Sequence, residues 1–210
     1  MLHLPTLRDI QRGLAAGDAQ NAFEQLSPLR GQLPAAYPKN AYTEKLLHGA
    51  AQKADELDAH LIPALPFDLF RLFEETGDRS QYEHIYFNEY ATRNAVNALA
   101  LLKTGEDKYR RALENGLWAL CDAYTWALPA HLWGNGLKVL HDPGYEDGGR
   151  DEYACHDRPC TTEVDLFGSM MAHDVSQMLY LFGDTLSPLV VRRVREEIRR
   201  RIFDPLMTFD

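Results

Sequence analysis

The chain of 210 residues is poor in cysteine and has no excess of positive charge, and each shortage excludes a class of protein. Its three cysteines, Cys121, Cys155 and Cys160, leave one thiol over in any disulfide scheme. This favours a reducing compartment over a secreted disulfide scaffold. The formal net charge of −9 argues against nucleic acid as the main partner, because binding phosphates requires a basic surface.

Long apolar runs and familiar catalytic motifs are missing as well. No segment approaches 18 uninterrupted apolar residues, so we expect no membrane span. The N-terminus lacks a basic region followed by an apolar run, so we expect no signal peptide and a cytoplasmic location. The sequence has no glycine-rich phosphate loop, no Gly-x-Ser-x-Gly elbow and no His-Glu-x-x-His motif. We therefore expect no cofactor, and no complete catalytic constellation is visible.

What the sequence does contain is helical periodicity. Hydrophobic residues make up 45% of the chain, enough for the core of one folded domain. They recur every three to four positions, and no convincing alternating strand pattern interrupts them. The pattern predicts one all-α domain over residues 1–210, with N-terminal helices up to residue 62 and helical hairpins over 63–210. The predicted helices cover residues 6–16, 18–30, 43–60, 67–75, 80–103, 107–124, 163–182 and 188–206.

A weak repeat links several of these helices. In each copy an apolar helix end is followed by glycine and an acid, at Gly77, Gly105 and Gly183. The glycine is expected to close its helix in the left-handed conformation, and the acid to cap the next helix. Tyr82 and Tyr109 are expected to pack the new helix against the old one. Repeated hairpins of this kind build solenoids or closed rings.

The helix predicted over residues 80–103 fits the inner layer of such a ring, because it is apolar on nearly all sides. Its polar exceptions are Asn88, Arg93, Asn94 and Asn97. These side chains either face a central cavity or cap and contact neighbouring helices. We take Arg93 and Asn97 as candidate substrate-binding residues.

The stretch from Trp126 to Gly136 opens the longest segment without helical periodicity, residues 128–161. Pro129 stops the preceding helix, and a loop of this length is often functional. Trp126, His131 and Trp133 combine flat apolar faces with a titratable hydrogen-bonding group, the chemistry that a sugar site uses. The alternative is that the two tryptophans only cover the end of a helical core.

Three further features allow either a structural or a functional interpretation. Asp165 either complements the positive start of its helix or points into the cavity to bond a sugar hydroxyl or fix a base. The Cys155–Cys160 stretch lacks the spacing of a zinc site, so we expect no metal there. The arginines that crowd the last helix are expected to form a solvated face around a stripe of valine and isoleucine.

Together these motifs resemble the N-terminal helical part of heparinase II/III-like polysaccharide lyases. The motifs are Leu-Leu-x-Thr-Gly-x-x-x-Tyr109, Trp126-x-Leu-Pro-Ala-His131, Val164-Asp165-Leu166-Phe167 and the arginine-rich helix ending at Leu206. The resemblance covers about residues 99–206. It implies an incomplete α/α toroid followed by β-sandwich domains, which these 210 residues do not include. It also implies β-elimination at a uronic acid, in which a base removes the proton α to the carboxylate.

The resemblance implies an acidic oligosaccharide or polysaccharide as partner. Candidate substrate-binding residues are Trp126, His131, Trp133, Asp165, Arg93 and Asn97. The family's catalytic residues come mainly after the position matching Leu206, so we expect the catalytic base beyond Asp210. Alternatives are a toroidal glycoside hydrolase and a non-catalytic helical binding domain. An incomplete toroid leaves apolar helix faces uncovered, which predicts self-association.

Overall fold

The computed structural model describes residues 39–132 and 163–207, together with residues 8 and 12. The chain divides into two compact units, Met1–Glu44 and Lys45–Asp210. Helices dominate the described residues, which contain no β-strand, and this confirms the all-α prediction. In the same ranges no helix combines the length and the apolar character needed to cross a bilayer. The toroidal arrangement stays a prediction.

The helices follow the sequence periodicity closely. In chain order they are α1 (Ala41–Asp58), α2 (Phe67–Thr76), α3 (Ser80–His84), a first π-helical segment (Ile85–Thr92), α4 (Arg93–Thr104), α5 (Asp107–Asp122), a 3-10 turn (Pro129–His131), α6 (Leu166–Phe182), α7 (Pro188–Ile198), a second π-helical segment (Arg199–Phe203) and α8 (Asp204–Met207). These bounds match the predicted helices from residue 43 onward to within two residues, except that α6 begins three residues later than expected. The helices predicted over 6–16 and 18–30 lie almost wholly outside the described residues.

Two of the three repeat glycines behave as predicted. Gly77 and Gly105 have φ angles of 75° and 69°, and their N–H groups donate to the carbonyls of Phe73 and Leu101. These are left-handed caps, which favour glycine because it has no Cβ. The prediction is wrong for Gly183, whose φ is −57°. Its N–H donates to the carbonyl of Leu179, four residues earlier, so the chain leaves α6 in a right-handed turn instead.

The core lies among α2 to α7 and the residues between α5 and the 3-10 turn. Its largest fully buried hydrophobic side chains are Tyr82, Tyr86, Leu113, Leu117, Leu120, Trp126, Leu128, Leu132, Val175 and Val194. Tyr82 and Tyr109 are both buried, as the repeat predicted. Gly116 on α5 lets Asn94 on α4 approach closely, because a Cβ at this position would overlap Oδ1 of Asn94. Asn94 therefore packs against α5 rather than facing an open cavity.

The arginine-rich end of the chain departs from the prediction at one residue. Val191, Val194, Ile198 and Ile202 form the expected buried stripe. Arg201 is buried beside them. Its guanidinium donates to the carbonyls of Ala123 at 2.7 Å and Tyr124 at 3.1 Å, and to Glu197 Oε2 at 2.6 Å. This arginine supplies hydrogen-bond donors to carbonyl groups just after the C-terminal end of α5, where positive charge is favourable.

Candidate functional site

His131 and Asp165, which are far apart in sequence, lie in direct contact. The Nδ1 atom of His131 is 2.7 Å from Oδ2 of Asp165. Asp165 is also the N-cap of α6, since its Oδ1 accepts the N–H of Gly168 at 2.6 Å. The backbone N–H of Leu128 donates to Oδ2 at 3.1 Å. Donors from both chain segments therefore converge on one carboxylate whose side chain is only 7% exposed.

These contacts determine how the imidazole is presented. Because a carboxylate with these partners can only accept, the Nδ1 of His131 must carry the shared hydrogen. This leaves Nε2 on the outer side of the ring, and the described residues form no hydrogen bond to it. The His131 side chain is 33% exposed. A histidine oriented by a carboxylate in this way keeps one tautomer and one direction for the nitrogen that it offers to a partner.

Aromatic packing fixes the plane of the same ring. The imidazole stacks on Phe167, with ring centroids 5.6 Å apart and an interplanar angle of 21°. Phe87, from the first π-helical segment, meets Phe167 edge to face at 5.4 Å. The imidazole is thus held by a hydrogen bond at one edge and an apolar surface on one face. We call His131, Asp165 and Phe167 the histidine site.

Local sequence explains why the two segments of the histidine site meet. Pro129 begins the 3-10 turn, and the N–H of His131 donates to the carbonyl of Leu128 at 2.8 Å. On the other side, a Cβ at Gly168 would lie 3.1 Å from Oδ1 of Asp165 and 3.5 Å from the Trp126 carbonyl oxygen. Glycine in the first turn of α6 therefore permits the close approach of the helix to the Trp126 backbone.

Trp126 belongs to the core and not to an open surface. The residue is 2% exposed, and its indole Nε1–H donates to the carbonyl of Leu120 at 3.1 Å. The guanidinium of Arg201 lies 5.2 Å from the ring centroid. This burial favours the alternative interpretation of Trp126, cover for the end of a helical core, over a sugar-stacking role.

Arg93 and Asn97, the two other described candidates, belong to a separate polar cluster with Asp58, His60 and Glu89, here called the arginine cluster. Arg93 donates to Oε2 of Glu89 at 2.6 Å and to Oδ1 of Asp58 at 3.2 Å. Asn97 donates to the same oxygen of Asp58 at 3.2 Å. Arg93 and Asn97 are buried, which favours the alternative that these side chains contact neighbouring helices over the alternative that they face a cavity.

The arginine cluster also contains a histidine–carboxylate contact. Nε2 of His60 lies 3.1 Å from both carboxylate oxygens of Glu89 and 3.0 Å from Nη2 of Arg93. Burial acts to raise the pKa of Glu89, but hydrogen bonds from Arg93 and His60 outweigh it, and the net pKa lies below its ordinary value. This carboxylate is therefore ionised and matched by charge within the protein.

The remaining candidates from the sequence cannot be placed in the structure. Trp133 and the Cys155–Cys160 stretch lie outside the described residues. Over residues 39–132 and 163–207, no group of three or more histidine, cysteine or acidic side chains is arranged to hold a metal ion. Sequence reasoning missed Tyr86 and Phe167 as neighbours of the histidine site. A signal was available for Phe167, which is two residues from Asp165 at the start of a helix.

Comparison with known proteins adds no relative. No family model matches the chain, and no curated protein matches its sequence. The resemblance to heparinase II/III-like lyases consequently depends on the motif residues themselves. Among these, Trp126, His131, Asp165 and Phe167 surround one junction between the 3-10 turn and α6.

Proposed function

We propose that this chain is the helical part of a polysaccharide lyase that cleaves uronic-acid-containing sugar chains by β-elimination. Within it, His131 contacts the substrate from the wall of the binding cleft. The observation that carries the proposal is the contact of Nδ1 of His131 with the carboxylate of Asp165, the N-cap residue of α6. The Trp-x-Leu-Pro-Ala-His and Val-Asp-Leu-Phe motifs that resemble the lyase family supply both members of this contact.

The chemistry of an oriented imidazole suits an acidic sugar. In the neutral ring with hydrogen on Nδ1, the free lone pair at Nε2 accepts a hydrogen bond from a sugar hydroxyl. In the protonated ring Nε2–H donates to a uronate carboxylate, while Asp165 balances the added charge. Both states serve substrate binding, and the base that removes the α proton is expected beyond Asp210.

The acidic composition of the chain sharpens the role of His131. A net charge of −9 opposes the approach of a polyanion, so a uronate needs a local cation or donor. Arg93 and Arg201 are buried and occupied by carboxylates and carbonyls of the protein. The imidazole of His131 is partly exposed and offers a ring nitrogen that can form such a hydrogen bond. We further propose that the protein acts in the cytoplasm and that it self-associates through apolar helix faces.

The test is calorimetric titration of the whole chain with heparin, hyaluronan and alginate oligosaccharides, with a neutral dextrin as reference. Loss of a hydrogen bond to a charged group costs about 1.5–3 kcal/mol. His131→Gln is therefore expected to weaken binding of the best uronate ligand by about tenfold to a hundredfold. His173→Gln on α6 is the matched control. Its imidazole is exposed and contacts only neighbouring Asp174 and Gln177 among the described residues, so binding should not change.

The products distinguish the reaction classes. When the best-bound polysaccharide is incubated with a longer form of the protein that includes the expected catalytic base, a rise in ultraviolet absorbance reports the unsaturated ends that β-elimination creates. New reducing ends without that absorbance would favour the toroidal glycoside hydrolase instead. The lyase proposal fails if dextrin binds as tightly as every uronate ligand, or if no sugar binds.

A further inference from the structure

Tyr86 joins the two chain segments of the histidine site through one phenol group. Its hydroxyl lies 2.8 Å from the carbonyl oxygen of Trp126 and 3.3 Å from that of Phe167. Trp126 precedes the turn that carries His131, and Phe167 follows Asp165. A phenol has a single hydrogen, so it donates to Trp126 at the shorter distance, with Phe167 as the alternative acceptor.

We propose that Tyr86 is a positioning residue for His131. The contacts form a closed circuit. Tyr86 donates to the carbonyl of Trp126, and the N–H of Leu128, two residues after Trp126, donates to Asp165. Phe167, two residues after Asp165, stacks on the imidazole of His131, and its carbonyl lies near the Tyr86 hydroxyl. Removing the phenol oxygen breaks the contacts that link the Trp126 and Phe167 carbonyls through Tyr86. Tyr86 therefore acts through the backbone and touches neither Nε2 nor a ligand.

The surroundings of Tyr86 hold the phenol in this place. The residue is almost fully buried, and its ring stacks on Tyr82 at 6.2 Å and meets Phe87 edge to face at 5.2 Å. Phe87 in turn packs on Phe167. Burial raises the pKa of Tyr86 well above its ordinary value, so the phenol stays a donor across the working pH range. The first π-helical segment thus supplies both the hydrogen-bond donor and part of the apolar surface behind the histidine site.

What the positioned imidazole does rests on the proposed function, but its position does not. The first measurement is a long-range proton–nitrogen correlation spectrum of the histidine rings in the whole chain at about pH 8, where a free imidazole is neutral. His131→Gln assigns the signal. In the wild type, one population with hydrogen on Nδ1 is expected. Tyr86→Phe should give a mixture of the two tautomers, because the Asp165 contact is no longer held at one distance.

Two matched variants on the same continuous helix separate positioning from general destabilisation. Tyr82→Phe removes an equally buried phenol oxygen for which the structure has no hydrogen-bond partner among the described residues. Tyr90→Phe removes a phenol that donates to the Pro63 carbonyl at 3.1 Å, away from the histidine site. Tyr90→Phe should lower stability about as much as Tyr86→Phe, because each variant loses one hydrogen bond to a backbone carbonyl. Neither control should change the His131 tautomer.

The proposal is overturned if Tyr86→Phe keeps the single Nδ1–H population, or if Tyr90→Phe produces the same mixture. Should Tyr86→Phe not fold, the wild type still decides. A slowly exchanging Tyr86 hydroxyl proton should show nuclear Overhauser contacts to Trp126 or Phe167, and a freely exchanging one contradicts the positioning role. If His131→Gln leaves sugar binding intact while Tyr86→Phe alters the tautomer, the proposed function fails and the positioning of His131 stands.

Discussion

The histidine site and the arginine cluster each pair a histidine with a carboxylate, but they present the imidazole differently. In the histidine site, Asp165 accepts a hydrogen bond from Nδ1 of His131, and Nε2 lies on the other side of the ring. In the arginine cluster, Nε2 of His60 is itself engaged by Glu89 and Arg93. Each imidazole thus contacts the protein through one ring nitrogen, and the two sites differ in what holds the carboxylate: backbone donors for Asp165 and a buried arginine for Glu89.

The partners of the two carboxylates account for this difference. Backbone N–H groups of Leu128 and Gly168 bind Asp165, and they fix its direction without cancelling its charge. Glu89 and Asp58 are bound by the guanidinium of Arg93, whose side chain is 3% exposed. A carboxylate matched by a buried arginine braces helices, while one held by backbone donors can still respond to the charge of an imidazole. This difference is consistent with bracing by the arginine cluster, while ligand binding at the histidine site stays a proposal.

The largest expected effect is at Arg93. Arg93→Met leaves Glu89 and Asp58 without their cation, and breaking a buried ion pair costs about 3 kcal/mol or more. Urea unfolding followed by circular dichroism measures the loss, and the His131 tautomer should not change. Arg71→Met is the control, because Arg71 pairs only with exposed Asp68 and should cost under about 0.5 kcal/mol. Equal losses in the two variants would contradict the bracing role.

A smaller stability loss with a larger effect on the imidazole is expected at Asp165. Asp165→Asn keeps the shape of the cap but removes charge from its hydrogen bonds, at a cost of about 2 kcal/mol in urea unfolding. The amide has one acceptor oxygen for the three donors on Gly168, Leu128 and His131, so the Nδ1 contact should weaken and both ring tautomers should appear in the correlation spectrum. Asp174→Asn, which alters an exposed contact with His173, should change neither quantity. A single Nδ1–H population in Asp165→Asn would show that Asp165 does not set the tautomer.

The smallest effect concerns the pH dependence of the arginine cluster. The folded pKa of Glu89 lies below its ordinary value of 4.5. Its contribution to stability is therefore present above about pH 4.5 and is lost as the pH falls through the folded pKa. Glu89→Gln should cost about 1 kcal/mol at neutral pH, and its difference from the wild type should shrink in acid. Glu56→Gln, at an exposed partner of Lys53, should differ little from the wild type at neutral pH. A Glu89→Gln difference that grows in acid would reverse the assigned sign.

The helices were predictable because apolar spacing and glycine signals act locally. Leu47, Ala50, Ala54 and Leu57 are buried in α1 as their spacing predicts. Two leucines that the spacing also placed on this face are exposed, Leu46 within α1 at 51% and Leu61 beyond its end at 92%. The exception at Gly183 shows that the residue type permits a left-handed cap but does not require one.

The candidate site was predictable only in part, because contacts between distant segments leave no local pattern. The sequence named His131 and Asp165 separately, without indicating that they touch. Arg201 was missed because charge suggested a solvated face, although it lies three residues after Ile198, at a spacing that shares the buried side. Tyr86 was assigned to the core by its apolar character, and its hydroxyl partner became evident only from the structure.

The first π-helical segment has a consequence for how the gene can vary. Arg93 N–H donates to the carbonyl of Asn88, five residues earlier, instead of four as in an α-helix. The wider turn accommodates one extra residue while the helix continues on both sides. Deleting a single codon within this segment is expected to restore an ordinary α-helix without turning the flanking faces, because the wider turn already absorbs the extra residue. A change in the number of residues in this segment therefore alters the helix in a way that no substitution can reproduce.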